Sequence, residues 1–232
     1  LPGLERLSLA GNRLSDKTLA PLLAGLITLQ DLRSIDLSEN DLDAKGAKAL
    51  QQLLAQRSCL LTEVHLRRSD VDDDECRALC ESLELNTASK LEVLDLSDNL
   101  IGQKEEVNEF NPDFQTGGEA LGAMLSATST LTVLDLSWNS IRGTSAKALA
   151  SAVRTNATLT LLNLSHNRLD EDGGVAIADA LETNTSLTEA RMAHCFIGAK
   201  GSIVLSQALT ERNTPLTEVD FAGNVPGRVG AA

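Results

Sequence analysis

One spacing constrains this chain more than any other: leucine-class residues at Leu91, Leu94, Leu96 and Ile101 set around a single Asn99, in the stretch LEVLDLSDNLI. The pattern fits neither an uninterrupted helix nor an alternating strand, and it returns. Leu4, Leu7, Leu9, Asn12 and Leu14 repeat it, as do Leu32, Ile35, Leu37, Asn40 and Leu42. With the asparagine position as a ruler, the units fall at Asn12, Asn40, Ser69, Asn99, Asn139, Asn167, Cys195 and Asn224, at intervals of 28, 29, 30, 40, 28, 28 and 29 residues. A fixed period of this length marks a solenoid of stacked units.

Each unit divides into two halves of different periodicity. LTVLDLSWN, residues 131–139, predicts a short strand that turns Leu134 and Leu136 inward. KALASAV, residues 147–153, recurs at helical spacing and aligns Ala148, Leu149, Ala152 and Val153 in one stripe. Equivalent stripes are Ala49, Leu50, Leu53 and Leu54; Ala176, Ile177, Ala180 and Leu181; and Val204, Leu205, Ala208 and Leu209. Gly46, Gly117, Gly173 and Gly201 mark helix starts, while Asn86, Asn156 and Asn184 follow helix ends, where a left-handed cap is expected. The fold class is therefore α/β, a horseshoe-like solenoid of about eight repeats with a parallel sheet on the concave face and helices on the convex face. It is read as a single domain over residues 1–232. Neither end carries a polar cap, so the domain is expected to be part of a longer array or assembly.

Energetics explain why the units come in a row. One unit offers six or seven aliphatic side chains at roughly 1.5 to 3 kcal/mol each when fully buried. Ordering its backbone costs about 1 to 2 kcal/mol per residue. A lone unit loses, and stability accrues only as neighbours complete the burial and pair the strand edges. The recurring asparagine sits where the strand turns away, and its amide can both donate to and accept from exposed backbone groups. Ser69 and Cys195 do this less well, so their turns are expected to be weaker.

Composition excludes several functions. The net charge of -13, from 20 Lys and Arg against 33 Asp and Glu, repels phosphate backbones and anionic lipid, so neither nucleic acid nor membrane is expected as a partner. Cys59, Cys76, Cys80 and Cys195 lack the spacing of a disulfide framework and are read as reduced thiols in a cytoplasmic protein. Three glycosylation sequons begin at Asn156, Asn163 and Asn184, all at positions the repeat makes polar anyway.

The pattern LxxLDLSxNxI followed by GxxALAxAL, at 28 to 29 residues per unit, resembles the leucine-rich-repeat family, and specifically its ribonuclease-inhibitor-like subfamily. The resemblance covers about residues 4–224, and Cys195 in place of Asn fits it. It implies a binding surface for other proteins, as a scaffold subunit or interaction module. Two alternatives come with it: a GTPase-activating protein resembling the Ran activator, and a ribonuclease-type inhibitor. The critical rim residues of the Ran activator do not map onto this chain.

Two places depart from the repeat. The 40-residue interval holds an insertion at about 103–115, QKEEVNEFNPDFQ, between the asparagine turn and the helix, so it lies at one rim. It carries Phe110 and Phe114 inside an acidic, Pro-containing loop, and long loops in compact repeats are often functional. On the inner face, residues flanking the inward leucines form two columns. One runs Ser8, Asp36, His65, Asp95, Asp135, Asn163, Arg191, Asp220, and the other places Val93, Val133 and Leu161 side by side. Trp138 and His166 sit near the rim. The expected partner-binding residues are therefore Asp36, His65, Val93, Asp95, Phe110, Phe114, Val133, Asp135, Trp138, Leu161 and Asp220, facing a protein with a basic or mixed surface.

No catalytic chemistry is legible. His65, His166 and His194 fall in different repeats with no paired nucleophile, and Gly117-Gly118 and Gly173-Gly174 are helix starts, not phosphate loops. Asp72, Asp73 and Asp74 read as helix-capping acids, since calcium would need a loop glycine and a distal Glu. Neither cofactor nor metal is expected.

Overall fold

The short period leaves each unit room for one three-residue strand, one turn and one helix of three to four turns. The computed structural model describes residues 3–108, 110–211 and 215–225; Glu109, inside the insertion, and both chain ends fall outside them. Among the described residues, eight strands form one sheet in chain order: β1 Arg6–Ser8, β2 Ser34–Asp36, β3 Glu63–His65, β4 Val93–Asp95, β5 Val133–Asp135, β6 Leu161–Asn163, β7 Glu189–Arg191 and β8 Glu218–Asp220. Every neighbouring pair is parallel, and the register aligns the same frame position in each unit, as in Leu94↔Leu134↔Leu162. The intervening helices are α1 Asp16–Leu26, α2 Ala44–Leu54, α3 Asp73–Leu85, α4 Gly117–Ala127, α5 Gly143–Thr155, α6 Asp170–Thr183 and α7 Ala199–Glu211. Helices pack on the next helix in sequence and strands on the next strand, the one-dimensional stacking that a repeat requires.

The core lies between the sheet and the helix layer. Ile35, Val64, Leu94, Leu134, Leu162 and Ala190, the central residues of β2 to β7, are buried, as is the second leucine of each strand half, such as Leu96 and Leu136. The expected helix stripes are buried in α2. In α5 the stripe rotates slightly, burying Ala146 and Ala150 while leaving Ala148 half-buried. Leu209 is exposed, because no described helix follows α7 to cover it.

Asparagine ties the units together. The Asn99 amide donates to Leu96 O at 2.9 Å and to Leu66 O of the preceding unit at 2.7 Å, and its oxygen accepts from the N–H groups of Ser69 and Val71. Asn40, Asn139, Asn167 and Asn224 make the corresponding bonds. Ser69 and Cys195 keep the donor half of this arrangement, to Leu37 O and Leu164 O. At Ser69 the acceptor half passes to the main-chain oxygen, which receives Leu42 N, while the Cys195 oxygen receives Asp170 N, one residue past the ladder partner.

A second asparagine series runs along the helix ends. Asn86, Asn156 and Asn184 have φ of -87°, -67° and -67°, so the expected left-handed cap is not formed. Their amides instead donate to Leu54, Leu125 and Val153 carbonyls one unit back. These buried, fully engaged amides also leave the sequons at Asn156 and Asn184 as features of the repeat, and Asn163 is likewise buried. No helix among the described residues is long and apolar enough to cross a membrane.

Candidate functional site

The strand register puts the inner-face columns where the frame predicts. Val93, Val133 and Leu161 are direct neighbours on β4, β5 and β6, a half-buried apolar strip at the strand spacing of about 4.8 Å. Beside it run Asp36, His65, Asp95, Asp135, Asn163, Arg191 and Asp220.

These acids also have a local job. Oδ1 of Asp36, Asp95, Asp135 and Asp220 accepts the N–H two residues on, at 3.0, 2.9, 2.8 and 3.0 Å, and Asn163 does the same at 3.1 Å. Such Asx turns bend the chain out of the strand. The second oxygen stays available for lateral contacts: Asp135 Oδ2 accepts from Asn163 Nδ2 at 2.9 Å, and Asp36 Oδ2 from Ser8 Oγ at 3.2 Å. His65 lies 3.8 Å from Asp95 Oδ2 and 3.9 Å from Glu63 Oε2. The Asp95 carboxylate beside it, foremost, raises the imidazole pKa above the ordinary value, against the opposing effect of burial. Burial works to raise the Asp36 and Asp95 carboxyls, but both are held below the usual range, Asp36 mainly by Ser38 and Asp95 mainly by His65 and Ser97.

The rim where each strand turns away carries the exposed aromatic surface. The residue before each ladder position adopts a left-handed conformation in all eight units: Gly11, Glu39, Arg68, Asp98, Trp138, His166, His194 and Gly223, with φ between 49° and 70°. Glycine is the unstrained choice there, yet six units place a side chain on the rim. Because the units are in register, those side chains stack. Trp138 lies on His166 with centroids 3.7 Å apart and planes 11° apart, and His166 lies on His194 at 4.7 Å and 17°. Trp138 is 57% exposed, and Phe196, two residues past His194, is 71% exposed. The sequence reading does not reach His194 and Phe196. The signal for His194 is the frame position it shares with Trp138, whereas Phe196 stands one residue past the ladder position, where Ser140 stands in the Trp138 unit, and becomes visible only once the turn conformation is known.

The insertion stands on the same rim and is tied down on both sides. Asp73, fully buried at the start of α3, accepts the Gly102 and Lys104 N–H groups at its Oδ1 and Oδ2, both at 3.0 Å. It also accepts the Gly117 N–H at 2.7 Å, so one carboxylate holds both ends of the loop. Lys104 reaches back to Asp72 at 2.7 Å and to Asp74. Asp72 caps α3, as expected, but Asp73 and Asp74 serve the insertion. On the other side, buried Glu105 accepts Thr144 N at 2.6 Å and Ser145 Oγ at 2.7 Å, supplying the cap that Arg142 does not give α5. A short 3-10 turn, Glu106–Asn108, follows. The two phenylalanines part company: Phe110 is 92% exposed, and Phe114 is half-buried in a cleft against the start of α5, with Asn111, Thr116 and Lys147. Among the described residues, no group of three or more His, Cys, Asp or Glu side chains is placed to hold a metal ion.

The model described as Leucine Rich repeat matches residues 28–50, 128–150 and 155–178. Ribonuclease inhibitor of Mus musculus is 31% identical over 99 residues, covering 43% of this chain and 21% of the inhibitor. Tonsoku-like protein of Bos taurus is 33% identical over 145 residues, covering 61% of this chain and 10% of that protein. The chain thus spans only about a fifth and a tenth of the length of these two relatives. A solved structure of leiomodin-1 actin-binding site 2 aligns with a TM-score of 0.47 at 21% identity, covering 77% of this chain and 79% of that one. With eight registered strands, a helix between each pair and a donor-acceptor ladder in which Cys195 replaces Asn, the fold is a leucine-rich-repeat solenoid, and its repeats are similar to those of ribonuclease inhibitor.

Proposed function

We propose that this chain is a protein-interaction module that grips a partner of basic or mixed surface across its inner sheet face and the adjoining rim. The observation that carries this reading is the exposed Trp138, standing beside an apolar strip and an acidic column that the sheet aligns over successive strands. Apolar anchors surrounded by charge give binding energy and orientation together. Phe110, at the tip of a loop clasped on both sides, adds an anchor whose ordering cost is reduced by that clasp.

The test is capture with the immobilised chain, followed by measurement with each purified captured protein. Lysine at 95 or 135 would remove a turn acceptor along with the charge. Asparagine keeps the acceptor, as Asn163 does in the same column, so Asp95→Asn with Asp135→Asn isolates charge. A partner of this face binds the double variant more weakly and with a shallower salt dependence; indifference to the change rejects the face.

A second reading, inhibition of a cationic ribonuclease, is favoured by the same acidic column and by the ribonuclease inhibitor of mouse among the relatives. Failure to slow cleavage by a pancreatic-type ribonuclease at micromolar chain would discard it.

A further inference from the structure

The rim column has two ends, and they differ. At one end the His194 imidazole closes over Gly223: a Cβ there would come within 2.2 Å of the ring, so only glycine fits beneath it. Going the other way, His166 covers one face of Trp138. The remaining face of Trp138 is turned to the preceding rung, which is Asp98. Main-chain bonds confirm the succession, with Asp98 N donating to Ser137 O and Trp138 N donating to Ser165 O. Asp98 has a short side chain and the indole a long one, so the outer part of this face projects past the carboxylate into solvent, consistent with the 57% exposure of Trp138.

Asp98 already receives a guanidinium from its other neighbour. Arg68 Nε and Nη2 approach Asp98 Oδ2 at 2.9 and 2.8 Å. The rim therefore displays a carboxylate that already pairs with arginine, one rung from a partly exposed indole, on a chain of net charge -13. A planar guanidinium matches both at once, stacking on the ring while its edge pairs with the carboxylate. An ammonium is a compact, strongly hydrated charge without that plane.

We infer that Trp138 and Asp98 form an arginine subsite on the rim, taking one arginine side chain of an extended segment in the partner. This inference rests on the proposed docking of a basic partner and specifies where one of its side chains goes.

Trp138 is the single tryptophan and the chain has no tyrosine, so its fluorescence reads this site alone. The probes are three short acetylated, amidated peptides that differ at one position, arginine, lysine or the neutral isostere citrulline, titrated into the full chain. The expected result is a saturable change in Trp138 emission and in its indole N–H resonance with the arginine peptide. The lysine peptide is weaker by about two- to fivefold, the scale of a cation–π contact, and the citrulline peptide gives none. Asp98→Asn weakens the arginine peptide while leaving the fold intact, since asparagine tolerates the left-handed φ of 56° at this position. Asp41→Asn, an equal loss of charge elsewhere on the rim, leaves it unchanged. Absence of saturation overturns the inference. So does equal binding of arginine and lysine peptides with equal sensitivity to both charge changes, which would be attraction to net charge alone. Either failure leaves the inner-face reading standing, because that reading is judged by the Asp95 and Asp135 variants against a whole protein.

Discussion

The Gly117 N–H donates to Asp73 Oδ1 at 2.7 Å, joining the first residue of α4 to the first residue of α3 across the whole insertion. With Gly102 N and Lys104 N on the same carboxylate, Asp73 decides whether the loop has a fixed base. Asp73→Ala strands three N–H donors in a buried site, each worth about 1 to 3 kcal/mol when unsatisfied. The expected outcome is a loss of at least about 3 kcal/mol in unfolding free energy. Hydrogen exchange should accelerate first at Gly102, Lys104 and Gly117. Uniform acceleration along the chain would show that the carboxylate has no special hold on the loop.

Gly118 marks the closest approach of α4 to α5. A Cβ there would lie 2.3 Å from Ser145 Cβ and 2.6 Å from Ser145 Cα, a backbone atom that cannot swing aside. Gly118→Ala is expected to cost about 1 to 3 kcal/mol by overpacking. Because Ser145 Oγ holds Glu105, the cost should couple to Glu105→Gln in a double-mutant cycle. Strict additivity would separate helix packing from the insertion.

Stability should depend on pH through the capping box of α3. Burial, then the hydrogen bond and charge of Asp72, push the Glu75 carboxyl up to about 7. Burial also works to raise Asp72, but its bonds with Glu75, Lys104 and the Asp74 N–H hold it down to about 2. A raised folded pKa contributes stability that is full below the ordinary value and lost as pH rises through the folded one. The Glu75 contribution therefore declines from about pH 4.5 to about pH 7. That of Asp72 runs the opposite way, present above its ordinary value of 3.8 and lost as pH falls through about 2. Urea midpoints measured from pH 4 to pH 8 should lose this decline in Glu75→Gln; an unchanged profile would place the ionisation elsewhere.

The aromatic column supplies its own pH reporter. Burial and then the neighbouring charge of His194 lower the His166 pKa below the ordinary 6.5, with Asp220 opposing. An imidazolium stacked on an indole quenches it, so emission from Trp138 should fall as pH drops, with a midpoint below 6.5. His166→Gln should abolish the step. A midpoint above 6.5, or a step that survives the substitution, would contradict the stacked geometry.

How much of this was legible in the sequence follows from the range of each interaction. Strand register was, because a period of about 28 residues brings Val93, Val133 and Leu161 together in any solenoid. The insertion's limits were, because Gly117 and Leu121 resume the frame. The Asp73 clasp was not: a run of three acids before a helix reads as capping, and the partners lie 29 to 44 residues away. Nor was the rim column, since stacking of Trp138, His166 and His194 depends on a left-handed φ repeated at one frame position of each unit, which tryptophan does not favour and histidine adopts only in a minority of cases. The dual role of Asp95 and Asp135 was half visible, because a consensus aspartate does not reveal that one oxygen makes the turn and the other stays available.

The most direct measurement is the dissociation constant of a purified captured partner for the wild-type chain and for Asp95→Asn with Asp135→Asn, each followed across ionic strength. Partner binding across the inner face requires the double variant to bind about tenfold or more weakly at low salt, with the two curves converging as salt screens the column. Equal constants at every salt concentration, with unfolding midpoints also equal, would contradict it.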